Sequence, residues 1–501
     1  MKTPHACDLL PSGDVAPCII VIFGGSGDLT RRKLIPALYY LYQQKKMPDK
    51  FAVVCCGRTT YTNEQFRQQL LLSYENGDLN LSNWDEFAAN LYYHSLTYTA
   101  EAFLNLKDYL YKLDSHHSTE ANRIYDLAVP PNLYPIIAEL LGKSHMATEQ
   151  VQGNGWSRII IEKPFGHDLE SARQLNEVLH DYFTEEQIFR IDHYLAKETV
   201  QNVLIFRFAN TIFEPVWNSH YIDYIGIIAS EELGVGNRAG YYDTAGVLRD
   251  MFQNHMMQLL VLTAMESPYR FEANAIQDEK AKVIHSLRNF CIDSGSKIHL
   301  GQYGPGEING FMVPGYREEK NIPAGSTTPT FALMELYIDN WRWRNVPFYL
   351  VSGKRMAKKE TRIVIQFKKT PHQLFRSPFG ESTANKLIIE TYPQESIKLS
   401  FQTKNPGHNL CLRSMYMDFV YQEHYHNISS NAYARVLLDC IGGDHTLFWR
   451  QDGIELSWSF LTPILQQCEN RQKIMPPLQF YPAGSLGPTS SEKIIQTLFT
   501  D

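Results

Sequence analysis

At 501 residues the chain is about three times the length of a typical domain, so one or two large domains are expected. Hydrophobic residues make up 44% and charged residues 20%, with 30 Gly and 25 Pro, which excludes collagen-like, low-complexity and disordered classes. Forty-seven basic against 54 acidic side chains give a net charge of −7; no nucleic-acid or membrane partner is expected, and an anionic ligand would need a local basic cluster.

The first residues, MKTPHACDLLPSGDVAPC, lack the continuous apolar region of a secretory signal. No stretch approaches the roughly 18 apolar residues of a membrane span, so a cytoplasmic protein is the expectation. Eight cysteines without repeated pair spacing, two of them adjacent as Cys55 and Cys56, read as buried small hydrophobes in a reducing compartment rather than as disulfides or a zinc site.

Residues 17 to 23 (PCIIVIF) form a short β-branched run that ends in Gly24-Gly25-Ser26-Gly27-Asp28. Leu29, Leu34, Leu38, Leu41 and Tyr42 then recur at helical spacing, so the order reads strand, glycine turn, helix. Pro36 should kink that helix or restart it at a first-turn position. Further apolar runs at Phe51 to Cys56, Ile124 to Val129 and Ile159 to Ile161 alternate with helical patterns, which implies a parallel sheet.

After about residue 200 the pattern changes. TFALMELYIDN (330 to 340), RIVIQFKK (362 to 369), NKLIIETY (385 to 392) and SIKLSFQ (396 to 402) alternate apolar and polar residues, as a half-buried antiparallel sheet does. Helical patterns from Thr244 to Met265 and from Ala432 onward are expected to cover one face of it. The predicted fold is an α/β Rossmann-like N-terminal domain over 16–188, followed by an α+β domain over 189–490 with a large, mostly antiparallel sheet.

Five motifs bear on chemistry. The Gly24-Gly25-Ser26-Gly27 turn sits where a mononucleotide fold binds pyrophosphate, although Thr30 stands where the strict glycine fingerprint ends. The second strand ends in Gly57-Arg58 rather than an acidic residue, which favours NADP over NAD because a guanidinium suits a 2′-phosphate. Lys163, in IEKPFG, follows an apolar strand at the ligand-binding edge of the sheet. RIDHYLAKE packs Asp192, His193, Tyr194 and Lys197 into six positions: an orienting carboxylate and donors for a phosphate dianion, or simply a capped helix start. Leu248, Phe252, His255, Leu259 and Leu262 share one face of the helix from Thr244, so spacing alone makes His255 a core histidine needing a polar partner. His116-His117 and His424-Tyr425-His426 lack further ligands at metal spacing, and no metal is expected.

Taken together, GGSGDLTRRK, IEKPFG, RIDHYLAKE, GYYDTAGVLRDMFQNH, IDNWRWRNVPFYLVSGKRM and LLDCIGGDHTLFWRQD resemble the glucose-6-phosphate dehydrogenase family, from about residue 18 to about 470. The resemblance implies oxidation of glucose 6-phosphate to its lactone by hydride transfer to NADP, in a homodimer or homotetramer. It implies that His255 is the general base, that Asp192 orients it, and that Lys163 lies between cofactor and substrate. His193, Tyr194, Lys197, Lys354 and Lys359 would hold or approach the sugar phosphate, and Glu231 and Asp250 its hydroxyls. Gly24, Gly25, Ser26, Gly27, Asp28, Leu29, Arg31, Lys33, Arg58 and Tyr134 would meet NADP. Ala196 replaces the family's usual glycine, and Glu360 stands where some eukaryotic members place a basic residue for a second, structural NADP. An unphosphorylated-sugar oxidoreductase, which the cationic cluster disfavours, and a non-catalytic binding protein on the same fold are the alternatives.

Overall fold

The computed structural model describes residues 15–74, 80–149, 155–192, 194–195, 198–290, 297–375, 383–408, 410–424, 432–469 and 477–500. They divide into two compact units: one of residues up to 196 with 271–277 and 430–451, the other of 197–270, 278–429 and 452–501.

The first unit is built on six parallel strands, β1 (Cys18–Phe23), β2 (Phe51–Gly57), β3 (Leu91–Ser95), β4 (Arg123–Leu127), β5 (Ser157–Ile161) and β6 (Ile188–Arg190). Their order, β3-β2-β1-β4-β5-β6, reverses direction of growth between β1 and β4, the switch point where open α/β sheets bind ligands. Every residue of β1, β2 and β4 is buried, as expected of a parallel sheet covered on both faces. The helix that follows the turn runs on through a π-helical turn, Thr30–Leu34, into the regular segment Ile35–Gln43, so Pro36 sits just past the widened turn rather than at a fresh helix start.

Two features of this unit differ from the sequence reading. Strand β3 and the helix Ala100–His117 that follows it, capped by Thr99 Oγ1 accepting from Ala102 N, carry no long apolar run to announce them. The helix Ala432–Gly442 does not cover the second sheet. Its Ala434, Leu437 and Ile441 join the core of Ile20, Ile22, Ile124 and Ile160 beside the helix Ile35–Gln43. Arg158, on β5, donates to the carbonyls of Cys440 and Ile441 at its C-terminal end.

The second unit holds β7 (Ile222–Ser230), β8 (Ile298–Gly304), a hairpin of β9 (Gly306–Ile308) and β10 (Phe311–Val313), β11 (Phe331–Leu336), β12 (Phe348–Gly353), β13 (Glu360–Phe367), β14 (Lys386–Tyr392), β15 (Ser396–Lys404), β16 (Leu412–Val420) and β17 (Gln479–Pro482). Nine of them form one sheet in the order β16-β15-β14-β13-β7-β12-β11-β8-β17, antiparallel except where β7 meets β12 and β8 meets β17. The large, mostly antiparallel sheet is as expected. The half-buried character holds for β14 and β15 but not for the middle of the sheet, where β11 is buried throughout and β7, β12 and β13 nearly so. Ile495 and Leu498 of the C-terminal helix pack with Ile228, Leu333, Val351, Val364 and Ile388, while the helix Glu198–Phe208 lies against β14 and the segment Leu248–Met256 against β12.

The single helix read from Thr244 to Met265 is three pieces. An α-helix, Ala239–Val247, contains Gly246 at φ 62°, ψ 176°; a nine-residue π-helical stretch, Leu248–Met256, follows, and then a regular helix, Met257–Ala264. All residues from 250 to 265 are buried, so the one-faced pattern around His255 gives way to burial on every side.

Candidate active site

Each unit carries part of the machinery. In the first, the turn after β1 is held by its own backbone. Gly24 and Gly25 N–H both donate to Cys56 O, and Gly27 N–H returns to Gly24 O at 2.8 Å. Gly24 has φ 89°, and a Cβ there would stand 2.1 Å from Ala128 O, so only glycine is accommodated. Thr30 is fully buried and donates through Oγ1 to Gly24 O at 3.0 Å, closing the turn with a side chain where the fingerprint would have a third glycine. Ser26, Asp28, Arg31 and Lys33 are exposed around the loop and Leu29 is half-buried; Arg31 and Arg32 bind the Asp28 carboxylate at 3.3 and 2.8 Å. A bare backbone turn at the switch point, rimmed by cations, fits a dinucleotide pyrophosphate.

Arg58 projects exposed from the end of β2, and no carboxylate among the described residues pairs with it, which leaves its guanidinium available to a phosphate. Tyr134 opens the helix Tyr134–Lys143 and is 1% exposed, part of the packing rather than of the open surface.

Lys163 follows β5, half-buried, directly after Glu162. Glu162 is buried, and its carboxyl is pushed up to about 7 by desolvation and, less strongly, by Asp192; Lys163 and a hydrogen bond with Tyr433 pull the other way. On β4, Asp126 pairs in register with Ile160, so its side chain lies on the same face of the sheet as Glu162 two positions on. Burial and the neighbouring Glu162 charge raise Asp126 well above the usual carboxylate range, and neither of its carboxyl oxygens has a hydrogen-bond partner among the described residues. Asp192, 1% exposed, accepts from Tyr194 N at 2.9 Å, and Leu195 N donates to its carbonyl, which makes a tight turn. His193, Ala196 and Lys197 lie outside the described residues.

In the second unit the substrate-type residues are brought together by strand register. β7 and β12 are parallel, with Ser230 opposite Gly353, so the residues just beyond, Glu231 and Lys354, leave the sheet side by side. Lys354 Nζ is 2.5 Å from Glu231 Oε2 and 4.0 Å from Asp250 Oδ2. Arg238 Nη2 reaches Asp250 Oδ1 at 3.5 Å. Asp250 and His255 both stand on the π-helical stretch and are almost wholly buried, 4% and 1% exposed. Such π-turns gather at functional sites because the extra residue shifts side chains out of helical phase. Lys359 is not joined to this group; it is exposed, with its ammonium 4.1 Å from the centre of the Tyr392 ring. Sequence reasoning passed over Arg238, Tyr241 and Tyr242. Burial and the Asp250 charge push the Tyr241 phenol up to about 12 and that of Tyr242 well above its ordinary value.

A six-stranded parallel sheet of this order with a glycine turn at its switch point, joined in one chain to a unit presenting a buried histidine with carboxylates and a lysine, defines a dinucleotide-dependent oxidoreductase. The family models agree: "Glucose-6-phosphate dehydrogenase, NAD binding domain" matches residues 21–202 and "Glucose-6-phosphate dehydrogenase, C-terminal domain" residues 204–498. The chain belongs to the glucose-6-phosphate dehydrogenase family. It is 44% identical to the glucose-6-phosphate 1-dehydrogenase of Chlamydia pneumoniae, with 99% of this chain and 96% of the relative covered. It is 41% identical to that of Bacillus subtilis, with 95% and 96% covered. Among solved structures, a glucose-6-phosphate dehydrogenase in complex with its substrate glucose 6-phosphate superposes with a TM-score of 0.87 at 31% identity, covering 97% of this chain and 98% of that one. The glucose-6-phosphate 1-dehydrogenase of Mycobacterium avium gives 0.79 at 28% identity, covering 96% and 98%. No helix among the described residues is long and apolar enough to cross a membrane, and no group of three or more metal-ligating side chains occurs among them.

Proposed function

We propose that the chain oxidises D-glucose 6-phosphate at C1 to 6-phospho-D-glucono-1,5-lactone with NADP as acceptor, the first step of the oxidative pentose phosphate pathway. The observation that carries the reading is the set Glu231, Lys354, Asp250 and His255, gathered on two strand ends and one π-helical stretch in a chain of this family. NADP, when bound, supplies the acceptor for the hydrogen that leaves C1.

His255 takes the proton of the anomeric hydroxyl. A neutral imidazole nitrogen can take up that proton, and burial keeps water from competing for it. Asp192 orients the ring, as a carboxylate does in a histidine dyad. Lys354 attracts the anionic substrate with His193, Tyr194 and Lys197, while Glu231 and Asp250 accept from sugar hydroxyls. Lys163 serves substrate and cofactor; the loop from Gly24 to Arg31, with Lys33 and Arg58, receives the dinucleotide. The cofactor domain is the 16–188 span completed by residues 271–277 and 430–451, and the substrate domain is the second unit, so the expected contiguous 189–490 span is interrupted. The edge strand β16, with Met415, Tyr416 and Met417 exposed, suits a subunit contact in a cytoplasmic homodimer or homotetramer.

The test is the rise of reduced-nicotinamide absorbance with glucose 6-phosphate and NADP for the wild type and for His255→Asn. The variant is expected to lose orders of magnitude in kcat with little change in KM; near-normal turnover would remove His255 from the role.

A further inference from the structure

Four tyrosines, Tyr242, Tyr303, Tyr316 and Tyr481, are buried in one core cluster beside the strand ends that present Glu231 and Lys354. Three use their hydroxyls in ordinary ways. Tyr303 donates to Glu319 at 2.8 Å, Tyr316 to Asp243 at 2.8 Å, and Tyr481 to the Lys354 carbonyl at 2.6 Å. Tyr242 is the exception: 2% exposed, with no hydrogen-bond partner for its hydroxyl among the described residues. A buried, unsatisfied hydroxyl costs stability, so the side chain needs another reason to be there.

The ring supplies one, since the Lys354 ammonium stands 5.0 Å from its centre. We propose that Tyr242 is a positioning residue, whose ring face holds the Lys354 ammonium where it meets the anionic substrate. The rest of Lys354 is already fixed: its N–H donates to Thr330 O at 3.0 Å and its carbonyl accepts from Tyr481. Only the four-carbon stem remains to be placed. Glu231 draws the ammonium from one side, Asp250 stands 4.0 Å away on the neighbouring stretch, and the aromatic face sets the floor. A desolvated cation over a tyrosine face is stabilised enough to matter for binding. Tyr316, packed edge-on against Tyr242 at 6.3 Å between centres, keeps the ring from turning away.

The inference rests on Lys354 being a substrate ligand, so the experiment tests that separately. KM for glucose 6-phosphate, KM for NADP, kcat and thermal midpoint are measured for wild type, Lys354→Met, Tyr242→Phe, Tyr242→Leu, and a protein carrying pentafluorophenylalanine at position 242. The last has nearly the shape of phenylalanine with the ring's face charge reversed, and does not depend on the leucine variant folding. Tyr242→Phe should keep KM for glucose 6-phosphate within about twofold, while the fluorinated ring and Tyr242→Leu raise it about tenfold with KM for NADP unchanged. A raised KM in Lys354→Met with a wild-type KM for the fluorinated ring would overturn the role of Tyr242 alone. An unchanged KM in Lys354→Met would overturn the substrate role of the lysine, and the inference with it.

Discussion

Glu162→Gln is expected to alter how stability depends on pH, and the structure gives the size. The buried carboxyl titrates at about 7 in the folded chain against an ordinary 4.5, a gap of about 2.5 pH units. At roughly 1.36 kcal/mol per unit, that is about 3 kcal/mol. Between those two values the unfolded chain has released the proton and the folded chain still holds it. The folded state therefore binds more protons there, and stability falls as pH rises from about 4.5 to about 7, then levels off. Asp126, raised by its burial and by the Glu162 charge, acts in the same direction and is untouched by the substitution itself. Glutamine cannot ionise and removes the Glu162 part of the slope. The assay is a set of guanidinium titrations followed by tryptophan fluorescence at closely spaced pH values across that window. The stability of the variant minus that of the wild type should climb by about 3 kcal/mol from the acid to the neutral end. Parallel profiles would refute the reasoning, for they would mean that Glu162 is charged throughout and neutralised by a partner.

Three further outcomes are expected. Arg58→Gln should raise KM for NADP by about tenfold with KM for NAD unchanged, measured by initial rates with each nucleotide; equal effects on both would place the 2′-phosphate elsewhere. Thr30→Val keeps the shape but loses the 3.0 Å bond to Gly24 O, and should cost about 1 kcal/mol in denaturant titrations together with affinity for NADP. Tyr242→Phe removes a buried hydroxyl that has no partner among the described residues, so calorimetry should find the variant as stable as the wild type or about 1 kcal/mol more stable; a loss would reveal a hydrogen bond that the hydroxyl makes.

Much of the first sheet was legible because its central strands are uninterrupted β-branched runs, and PCIIVIF followed by glycines has few other readings. Strand β3 was not, because LYYHS is partly open at a sheet edge and carries no such run. The strands TFALMEL and RIVIQF were found, but their alternation suggested one wet face; pattern alone does not say that a C-terminal helix will close the other. The helix Ala432–Gly442 shows the same limit: periodicity marks an apolar face and leaves open which sheet receives it. At the site, Asp192, His255 and Lys354 could be singled out by motif. The π-helical stretch and the tyrosine floor could not, since both depend on packing that no local spacing reports.

The return of residues 430–451 to the first unit bears on how the protein is made. A ribosome releases the chain from its N-terminus, and a domain contiguous in sequence can close while the rest is still being synthesised. This one cannot. The apolar surface formed by Ile20, Ile22, Ile124 and Ile160 stays incomplete until Ala434, Leu437 and Ile441 have emerged, and Arg158 waits as long for the carbonyls of Cys440 and Ile441. A nascent chain halted anywhere before that helix would carry an uncovered hydrophobic face, a ready substrate for chaperones, so the nucleotide-binding unit is completed only after strands β7 to β16 of the second unit have been made.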